Sequence, residues 1–277
     1  MAKLTLLRHG ESQANAANVY TGWNDVPLTD KGRRQAWAAG EKLKEVGDFH
    51  PTMIHTSLLS RAIETANIVA EAAGFLYLPV AKTWRLNERH YGALRGLDKD
   101  VSRKIFGKEQ VLEWRRGFDA VPPAQGSPTI DRRYWGVDPQ LLPRAESLHQ
   151  TQLRLLPYYE DEVASRLVAG EDQLIVAHGS SLRALIKYLE DINNVDILKL
   201  EVPNAQAIVY DFDQELNIVD KMITNFFSRL SRPLPKGTVW RQAVKPMPTP
   251  PSVYNSSCRS EERRVGKECR SRWSPYH

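Results

Sequence analysis

The most informative residues of this 277-residue chain are two histidines that each follow a short apolar run. The first run, Leu4–Leu7, leads into Arg8-His9-Gly10, and the second, Gln173–Ala177, leads into His178-Gly179. Such runs are typical of buried strands, and the carboxyl end of a strand is where open α/β sheets bind ligands. A histidine at that position suits a nucleophile that accepts a phosphoryl group.

The two histidines are expected to do different work on the same group. We predict that His9 attacks a phosphate ester through a neutral ring nitrogen and becomes a phosphohistidine. We predict that His178 contacts the oxygens of the transferring group with a hydrogen bond or a positive charge. The structural alternative for each is a packed, hydrogen-bonded histidine with no chemical role.

Phosphoryl transfer also needs positive charge around the equatorial oxygens and a group that manages the proton of the leaving oxygen. Arg8 and Arg61 are the predicted anion clamp, and Arg61 lies near the start of a predicted helix, where backbone N–H groups favour anions. Glu88 is the predicted general acid and base. The residues expected to bind a second anionic group of the substrate are Lys99, Arg115 and Arg116.

Two of these predictions have structural alternatives. Glu88 and Arg89 could form only a surface ion pair of small energetic consequence, and residues 114–117 could be the end of an ordinary amphipathic helix. The other histidines show no helical metal-ligand spacing, so no metal site is predicted and they are interpreted as structural: His50, His55, His90 and His149.

The elements that must position these residues alternate between strand and helix patterns. This alternation predicts an α/β fold with a mostly parallel central sheet flanked by helices on both faces. The predicted strands are Leu4–Leu7, Met53–Thr56, Gln173–Ala177 and a closing hairpin of Ala207–Phe212 with Ile218–Met222. The predicted helices begin near Asp30 and span 60–73, 147–169 with a bend at Pro157, and 181–189. Residues 15–27 are predicted to be loop, and 91–143 an excursion with two short helices over the strand ends.

The composition indicates which class of protein this chain belongs to. The 42% hydrophobic and 26% charged content is typical of a soluble globular chain, and no apolar run approaches the roughly 18 residues of a membrane span. No signal-peptide pattern precedes the first strand, so we expect a cytoplasmic protein without a membrane partner. The first 257 residues contain no cysteine, which excludes a disulfide framework or a thiolate metal site there.

The net charge of +5 is unevenly distributed. Residues 259–277 hold six basic and three acidic side chains, so the rest of the chain carries only +2. A nearly neutral body with a basic tail does not favour a nucleic-acid partner. Oligomeric state is left open between a monomer and a homo-oligomer.

The end of the chain differs in character from the rest. Six prolines from 233 to 251 argue against regular structure, and we predict a disordered extension over 224–258. Residues 259–277 resemble translated sequencing-adapter read-through, which we interpret as an artefact, with a natural basic tail as the alternative. The predicted catalytic domain is therefore 1–223.

Several motifs resemble those of the cofactor-dependent phosphoglycerate mutases of the histidine phosphatase superfamily. The Arg-His-Gly triplet marks only the superfamily. The blocks Asn87–Leu94 (Asn-Glu-Arg-His-Tyr-Gly-Ala-Leu) and Trp114–Gly117 (Trp-Arg-Arg-Gly) are far more specific, and the resemblance covers about residues 3–223. Ser180 departs from the pattern, since the family usually has asparagine there.

The resemblance implies interconversion of 3-phosphoglycerate and 2-phosphoglycerate, primed by 2,3-bisphosphoglycerate and without metal. It implies that His9 is the phosphorylated nucleophile, Glu88 the proton donor and acceptor, and His178 the residue that stabilises the transferring group. The ligand contacts that it implies are Arg8, Gly10, Glu11, Ser12, Gln13, Asn15, Thr21, Gly22, Arg61, Glu88, Arg89, His90, Tyr91, Lys99, Arg115, Arg116, Gly179 and Ser180.

Two other functions remain as hypotheses. A phosphatase of the same fold would let water take the phosphoryl group from His9, but such relatives need not retain the Trp-Arg-Arg-Gly insert at 114–117. A degenerate member that acts as an interaction module or nucleic-acid binder would lose the reactive residues. All of them are present: Arg8, His9, Arg61, Glu88 and His178.

Overall fold

A computed structural model of the chain describes residues 1–127 and 131–224. Thr224 ends the last strand, and the remainder of the predicted 224–258 extension and the 259–277 tail lie outside the described residues. Within the described part of the chain, no helix is both long and apolar enough to cross a membrane.

Six strands form one sheet in the order β3-β2-β4-β1-β5-β6. Their bounds are Ala2–Arg8 (β1), Pro51–Thr56 (β2), Val80–Lys82 (β3), Asp172–Ala177 (β4), Ala207–Phe212 (β5) and Ile218–Thr224 (β6). Strands β3, β2, β4 and β1 pair in parallel, whereas β5 pairs antiparallel with both β1 and β6. The predicted mostly parallel sheet and closing hairpin are confirmed.

The register of β1 and β4 brings the two predicted histidines together. Arg8 is paired with Ala177, so His9 and His178 follow directly at the same edge of the sheet. The His9 N–H donates to the Ala177 carbonyl at 3.0 Å, which continues the ladder by one residue. Because β4 lies between β1 and β2, Ser57 at the end of β2 reaches the same edge from the other side.

Helices cover both faces of the sheet. Leu4, Leu6 and Ile175 belong to the core on the side of the helices at 148–158 and 179–189, whereas Leu7 and Leu174 are equally buried on the other side. The α-helices are Gln13–Ala16 (α1), Asp30–Leu43 (α2), Ser60–Ala73 (α3), Lys99–Phe106 (α4), Lys108–Arg116 (α5), Leu148–Tyr158 (α6), Ser165–Val168 (α7) and Gly179–Leu189 (α8).

The prediction of a helix over 147–169 is correct in its extent, but the segment is not one continuous α-helix. Ser147 caps α6 by accepting the Gln150 N–H at 3.0 Å, and α6 continues through Pro157 to Tyr158. A π-helical segment, Tyr159–Ala164, then follows before α7. Pro157 has no N–H to donate to the preceding turn, and helices adjust to such a gap by local rearrangements of this kind.

Two short secondary-structure elements, a strand and a helix, were not predicted from the sequence. Strand β3 has only three residues, and its side chains alternate between exposed and half-buried, so it carries no hydrophobic run. Helix α1 is a single turn within the segment next to His9, where the prediction for 15–27 was loop. The predicted excursion over 91–143 does carry two short helices, α4 and α5.

Candidate active site

The two histidines form the centre of a buried cluster at the carboxyl ends of β1 and β4. Their ring centroids are 5.0 Å apart with the planes inclined at 62°, and both side chains are almost completely buried. A single transferring group can therefore contact both rings.

The ring of His9 is held in one tautomer by its own loop. Its Nδ1 lies 2.6 Å from the Gly10 carbonyl oxygen, which can only accept, so Nδ1 carries the hydrogen and donates it. This leaves the lone pair on Nε2. Burial and the nearby Arg61 and Arg8 guanidinium groups hold the pKa of His9 well below its ordinary value. His9 is consequently neutral and nucleophilic near pH 7.

His178 is fixed from the opposite side. Its Nε2 lies 2.7 Å from the Ser57 hydroxyl oxygen. Its Nδ1 is buried and has no hydrogen-bond partner among the described residues, so it is the nitrogen left for a bound group. Burial, followed by Arg61 and His9, holds the pKa of His178 well below its ordinary value.

Two arginines place positive charge beside the histidines. Arg8 donates through Nη1 to the Val202 carbonyl at 2.6 Å, while its buried Nε has no partner within residues 1–127 and 131–224. Arg61 donates to the carbonyls of Gly22 and Asn24, each at 2.9 Å, and is 1% exposed. These bonds fix both guanidinium groups before any anion binds.

The Arg8 guanidinium lies against Gly179. A Cβ at this position would lie 3.4 Å from Cζ and Nε of Arg8. Gly179 is also the first residue of α8, so the guanidinium lies against a helix N-terminus that itself favours anions.

Glu88 is held at the same helix N-terminus. Its Oε1 accepts the backbone N–H groups of Arg89 at 2.9 Å and Ser180 at 3.0 Å. The Trp23 indole N–H donates to the Glu88 carbonyl at 2.6 Å and fixes the main chain. The other carboxylate oxygen, Oε2, accepts no hydrogen bond from the described residues, which leaves it for proton transfer.

These side chains open into a cavity of about 250 Å³. Its lining includes thirteen of the predicted site residues: Arg8, His9, Asn15, Thr21, Gly22, Arg61, Glu88, Tyr91, Lys99, Arg115, Arg116, Gly179 and Ser180. Its remaining lining residues were not in the predicted site: Val19, Tyr20, Arg183, Glu201, Val202 and Pro203. Of these, only Arg183 carried a signal in the sequence, as a cation on the predicted helix 181–189 that follows His178.

Seven predicted residues are not among those that line the cavity. One of them is His178, which is buried beside His9 with the ring centroids 5.0 Å apart. Gly10 lets the loop approach the start of α2, because a Cβ there would lie 2.2 Å from the Gly32 carbonyl oxygen. Glu11 pairs with Lys31 at 2.8 Å.

The other four of the seven are structural in a similar way. The Ser12 hydroxyl caps α1, and the Gln13 N–H donates to the Pro27 carbonyl at 3.1 Å. Arg89 is fully buried and donates through Nη2 to the Arg115 carbonyl at 2.7 Å. His90 is fully buried, and desolvation followed by the charges of Arg95 and Arg154 lowers its pKa to about 3.

The donor set of the cavity consists of cations and N–H groups rather than metal ligands. Within 1–127 and 131–224, no group of three or more His, Cys, Asp or Glu side chains is placed to hold a metal ion. The arrangement can bind an anion at the histidines, carry a phosphoryl group on His9 and exchange a proton through Glu88.

The chain belongs to the histidine phosphatase superfamily. The profile for its branch 1 matches residues 4–224. The chain is 66% identical over 223 residues to a protein of Lactobacillus johnsonii named 2,3-bisphosphoglycerate-dependent phosphoglycerate mutase 2, which covers 80% of this chain and 97% of the relative. The predicted resemblance is thereby confirmed.

Solved structures agree on the fold. The phosphoglycerate mutase of Bacillus anthracis superimposes with a TM-score of 0.56 at 27% identity, over 76% of this chain and 88% of that one. A mycobacterial glucosyl-3-phosphoglycerate phosphatase superimposes with a TM-score of 0.61 at 25% identity, over 81% and 98% of the two chains. The fold therefore serves both mutases and phosphatases, and the site must decide between them.

Proposed function

We propose that this chain interconverts 3-phosphoglycerate and 2-phosphoglycerate through a phosphorylated His9, as an enzyme of glycolysis and gluconeogenesis. The observation that carries the proposal is a single cavity lined by two groups of cations. One set surrounds the histidines, and the other, formed by Lys99, Arg115 and Arg116, lines the same cavity. Two sets of cations match a ligand with a phosphate and a second anionic group.

The first half of the reaction loads the enzyme. Nε2 of His9 forms a bond to phosphorus while the ester P–O bond breaks, and the departing oxygen takes a proton from Glu88. The second half acts on 3-phosphoglycerate. Glu88 removes the proton of its 2-hydroxyl, that oxygen attacks phosphorus, and the P–N bond breaks. The 3-phosphoryl group then passes to Nε2 of His9 by the same loading step, which releases 2-phosphoglycerate and restores the phosphorylated enzyme.

The negative charge of the transferring group is stabilised by residues that are already in place. Arg8 and Arg61 are anchored by backbone carbonyls, so their charges need no reorganisation when the group moves. His178 donates from Nδ1, which has no other partner in the described part of the chain. In-line transfer requires little more than this positioning.

The proposed cofactor is 2,3-bisphosphoglycerate, and the residues present fit it. When bound, it supplies the phosphoryl group that first loads His9. Arg8, His9 and Arg61 would hold one phosphate, and the Lys99, Arg115 and Arg116 side chains would hold the rest of the molecule. The buried, unpartnered Nε of Arg8 and Nδ1 of His178 are donors that an anion would satisfy.

The proposed ligand contacts outside the charged groups come from the cavity wall. They are Asn15, Thr21, Gly22, Tyr91, Gly179 and Ser180, with Gly10, Glu11, Ser12, Gln13, Arg89 and His90 shaping the loops behind them. We further propose that residues 1–223 form the catalytic domain and that the enzyme works in the cytoplasm on small phosphoglycerates, without a metal, a nucleic acid or a membrane as partner.

The second candidate is a phosphatase that passes the phosphoryl group from His9 to water. It is favoured by the structural similarity to a mycobacterial phosphatase. The cations around 115–116 favour the mutase instead, because a simple hydrolysis does not require the product to be held for a second transfer.

The deciding experiment is an assay of this chain on 3-phosphoglycerate with a trace of 2,3-bisphosphoglycerate and excess chelator. Formation of 2-phosphoglycerate without stoichiometric phosphate release is expected. Phosphate release without 2-phosphoglycerate would establish the phosphatase. Loss of conversion on adding chelator would contradict the metal-free mechanism.

A further inference from the structure

Arg183 is a buried cation that lines the cavity, yet its guanidinium is directed to the backbone. It lies one turn after Gly179 on α8 and is 4% exposed. Its Nη1 donates to the Arg115 carbonyl at 3.3 Å, and its Nη2 donates to the carbonyls of Arg116 at 3.0 Å and Ile197 at 2.6 Å. One side chain therefore joins three backbone positions.

The first two of those positions are the last carbonyls of α5. The final carbonyls of a helix have no partner within it and carry the negative end of the helix dipole, so they favour cations. Arg89 donates to the Arg115 carbonyl as well, at 2.7 Å. The end of α5 is thus held by two guanidinium groups, those of Arg89 and Arg183.

The same helix end presents the second set of cations to the cavity. The side chains of Arg115 and Arg116 both line it, and their direction depends on where the last turn of α5 lies. Arg116 also donates through Nη1 to the Leu200 carbonyl at 3.2 Å and pairs with Glu201. Arg183 and Arg116 therefore connect α5 to the segment 197–201, of which Glu201 also lines the cavity.

Helix α8 carries the other half of the site. Its first turn provides the Ser180 N–H that binds Glu88, and His178 directly precedes it. Arg183 is in the next turn of the same helix. The separation between the two histidines and the Arg115 and Arg116 side chains therefore depends on α8, because Arg183 in its second turn binds the end of α5.

The buried charge of Arg183 also indicates that the cavity binds a ligand with a second anionic group. Burial, with Arg89 and Arg116 nearby, lowers the pKa of Arg183 to about 9. A buried cation among other cations is expensive unless an anion compensates for it. A ligand that brings a second negative group would do so.

We infer that Arg183 is a positioning residue that sets the place of Arg115 and Arg116 and so gives the cavity its selectivity for ligands with two anionic groups. The inference rests on the proposed function for the identity of the ligand. It concerns binding, however, and can be tested without turnover.

The test compares two ligands by calorimetry on the full chain: 3-phosphoglycerate, with two anionic groups, and inorganic phosphate, with one. For Arg183→Met we expect 3-phosphoglycerate to bind at least about tenfold more weakly, because the charged hydrogen bonds that hold the end of α5 are lost. The affinity for phosphate should change by less than about threefold, since the site at His9 and His178 is held in place by other residues. Arg183→Lys keeps the charge but not the planar guanidinium group. It should weaken the binding of 3-phosphoglycerate by a smaller factor than Arg183→Met does.

A double-substitution cycle separates positioning from a general structural effect. In a chain that already carries Arg115→Ala and Arg116→Ala, Arg183→Met should weaken the binding of 3-phosphoglycerate by less than about threefold. The two arginine side chains that Arg183 would position are absent from that chain. Equal losses for both ligands, full additivity in the cycle, or wild-type binding by both Arg183 variants would each overturn the inference. A chain that hydrolyses rather than isomerises would refute the proposed mutase function, while these binding ratios would still decide the role of Arg183.

Discussion

The Ser57 hydroxyl oxygen lies 2.7 Å from Nε2 of His178, and both side chains are fully buried. The same oxygen accepts the Leu59 backbone N–H at 3.1 Å. Nε2 is the only acceptor that the described residues place within reach of the hydroxyl hydrogen, so the hydroxyl donates to it, and neutral His178 carries its own hydrogen on Nδ1. Ser57 therefore determines which nitrogen of His178 can donate to a bound phosphoryl group.

Ser57→Ala removes this constraint and should lower kcat by about tenfold or more, with little change in KM, because the lost contact acts on the transferring group. Ser57→Thr, which retains the hydroxyl, is the matched control and should keep most of the activity. Imidazole ¹⁵N NMR should show the hydrogen of His178 on Nδ1 in the wild-type chain. A hydrogen on Nε2 would contradict the assignment.

Glu88→Gln should leave the affinity for 3-phosphoglycerate largely intact while kcat falls by about 10²–10⁴-fold, the usual worth of a positioned acid–base group. Glutamine keeps an oxygen that can accept the Arg89 and Ser180 N–H groups, so the loop should stay in place. Steady-state kinetics with calorimetric binding separates the two effects. Unchanged turnover would assign the proton transfer to another residue.

Protonation should affect stability through the two histidines. The pKa of His9 and that of His178 are lowered in the folded chain by burial and then by Arg61, whereas in the unfolded chain they lie near 6.5. Below about pH 6.5 the unfolded chain therefore binds more protons, and the free energy of unfolding falls as the pH falls.

Each such histidine contributes a slope of up to about 1.4 kcal/mol per pH unit in that range. Denaturant unfolding between pH 7 and pH 5 should show a shallower loss for the His9→Gln, His178→Gln double variant than for wild type. Identical slopes in the two chains would show that neither active-site histidine is held neutral.

A buried ion pair supports the loop that carries Glu88. Nε of Arg154 lies 2.6 Å from Oε1 of Glu146, and Oε2 of Glu146 accepts the His90 N–H at 2.8 Å. Arg154→Leu would leave an unpaired buried carboxylate and should destabilise the chain by about 3–5 kcal/mol. Chemical denaturation measures this loss. The exposed pair of Lys199 with Asp196 provides a comparison, since Lys199→Ala should have a much smaller effect on the free energy of unfolding. Similar losses for the two variants would remove the structural role of the buried pair.

The sequence was sufficient for elements with strong local signals. Helix α3 runs from Ser60 to Ala73 as predicted, because an apolar face of helical period is followed by Gly74, whose φ of +80° ends the helix in a left-handed turn. The two histidines were located because each follows an apolar run at a strand end. Strand β3 offered no such signal, since three partly exposed residues have no periodicity to detect.

What the sequence could not supply are contacts between segments that are distant along the chain. The order of the strands brings Ser57 to His178 across 121 positions, and no local pattern encodes that meeting. The same holds for Arg183, whose sequence context is an ordinary amphipathic helix. Its partners at 115 and 116 are 67 or more residues away and are backbone carbonyls, which carry no signature of residue type.

The most direct test of the account is whether the phosphoryl group passes through His9. The full chain would be incubated with ³²P-labelled 2,3-bisphosphoglycerate, the labelled residue would be mapped by mass spectrometry, and the labelled enzyme would be chased with unlabelled 3-phosphoglycerate. We predict an acid-labile phosphohistidine at position 9, discharged to phosphoglycerate by the chase and absent from the His9→Ala chain. Label on another residue, or its retention in His9→Ala, would contradict the mechanism.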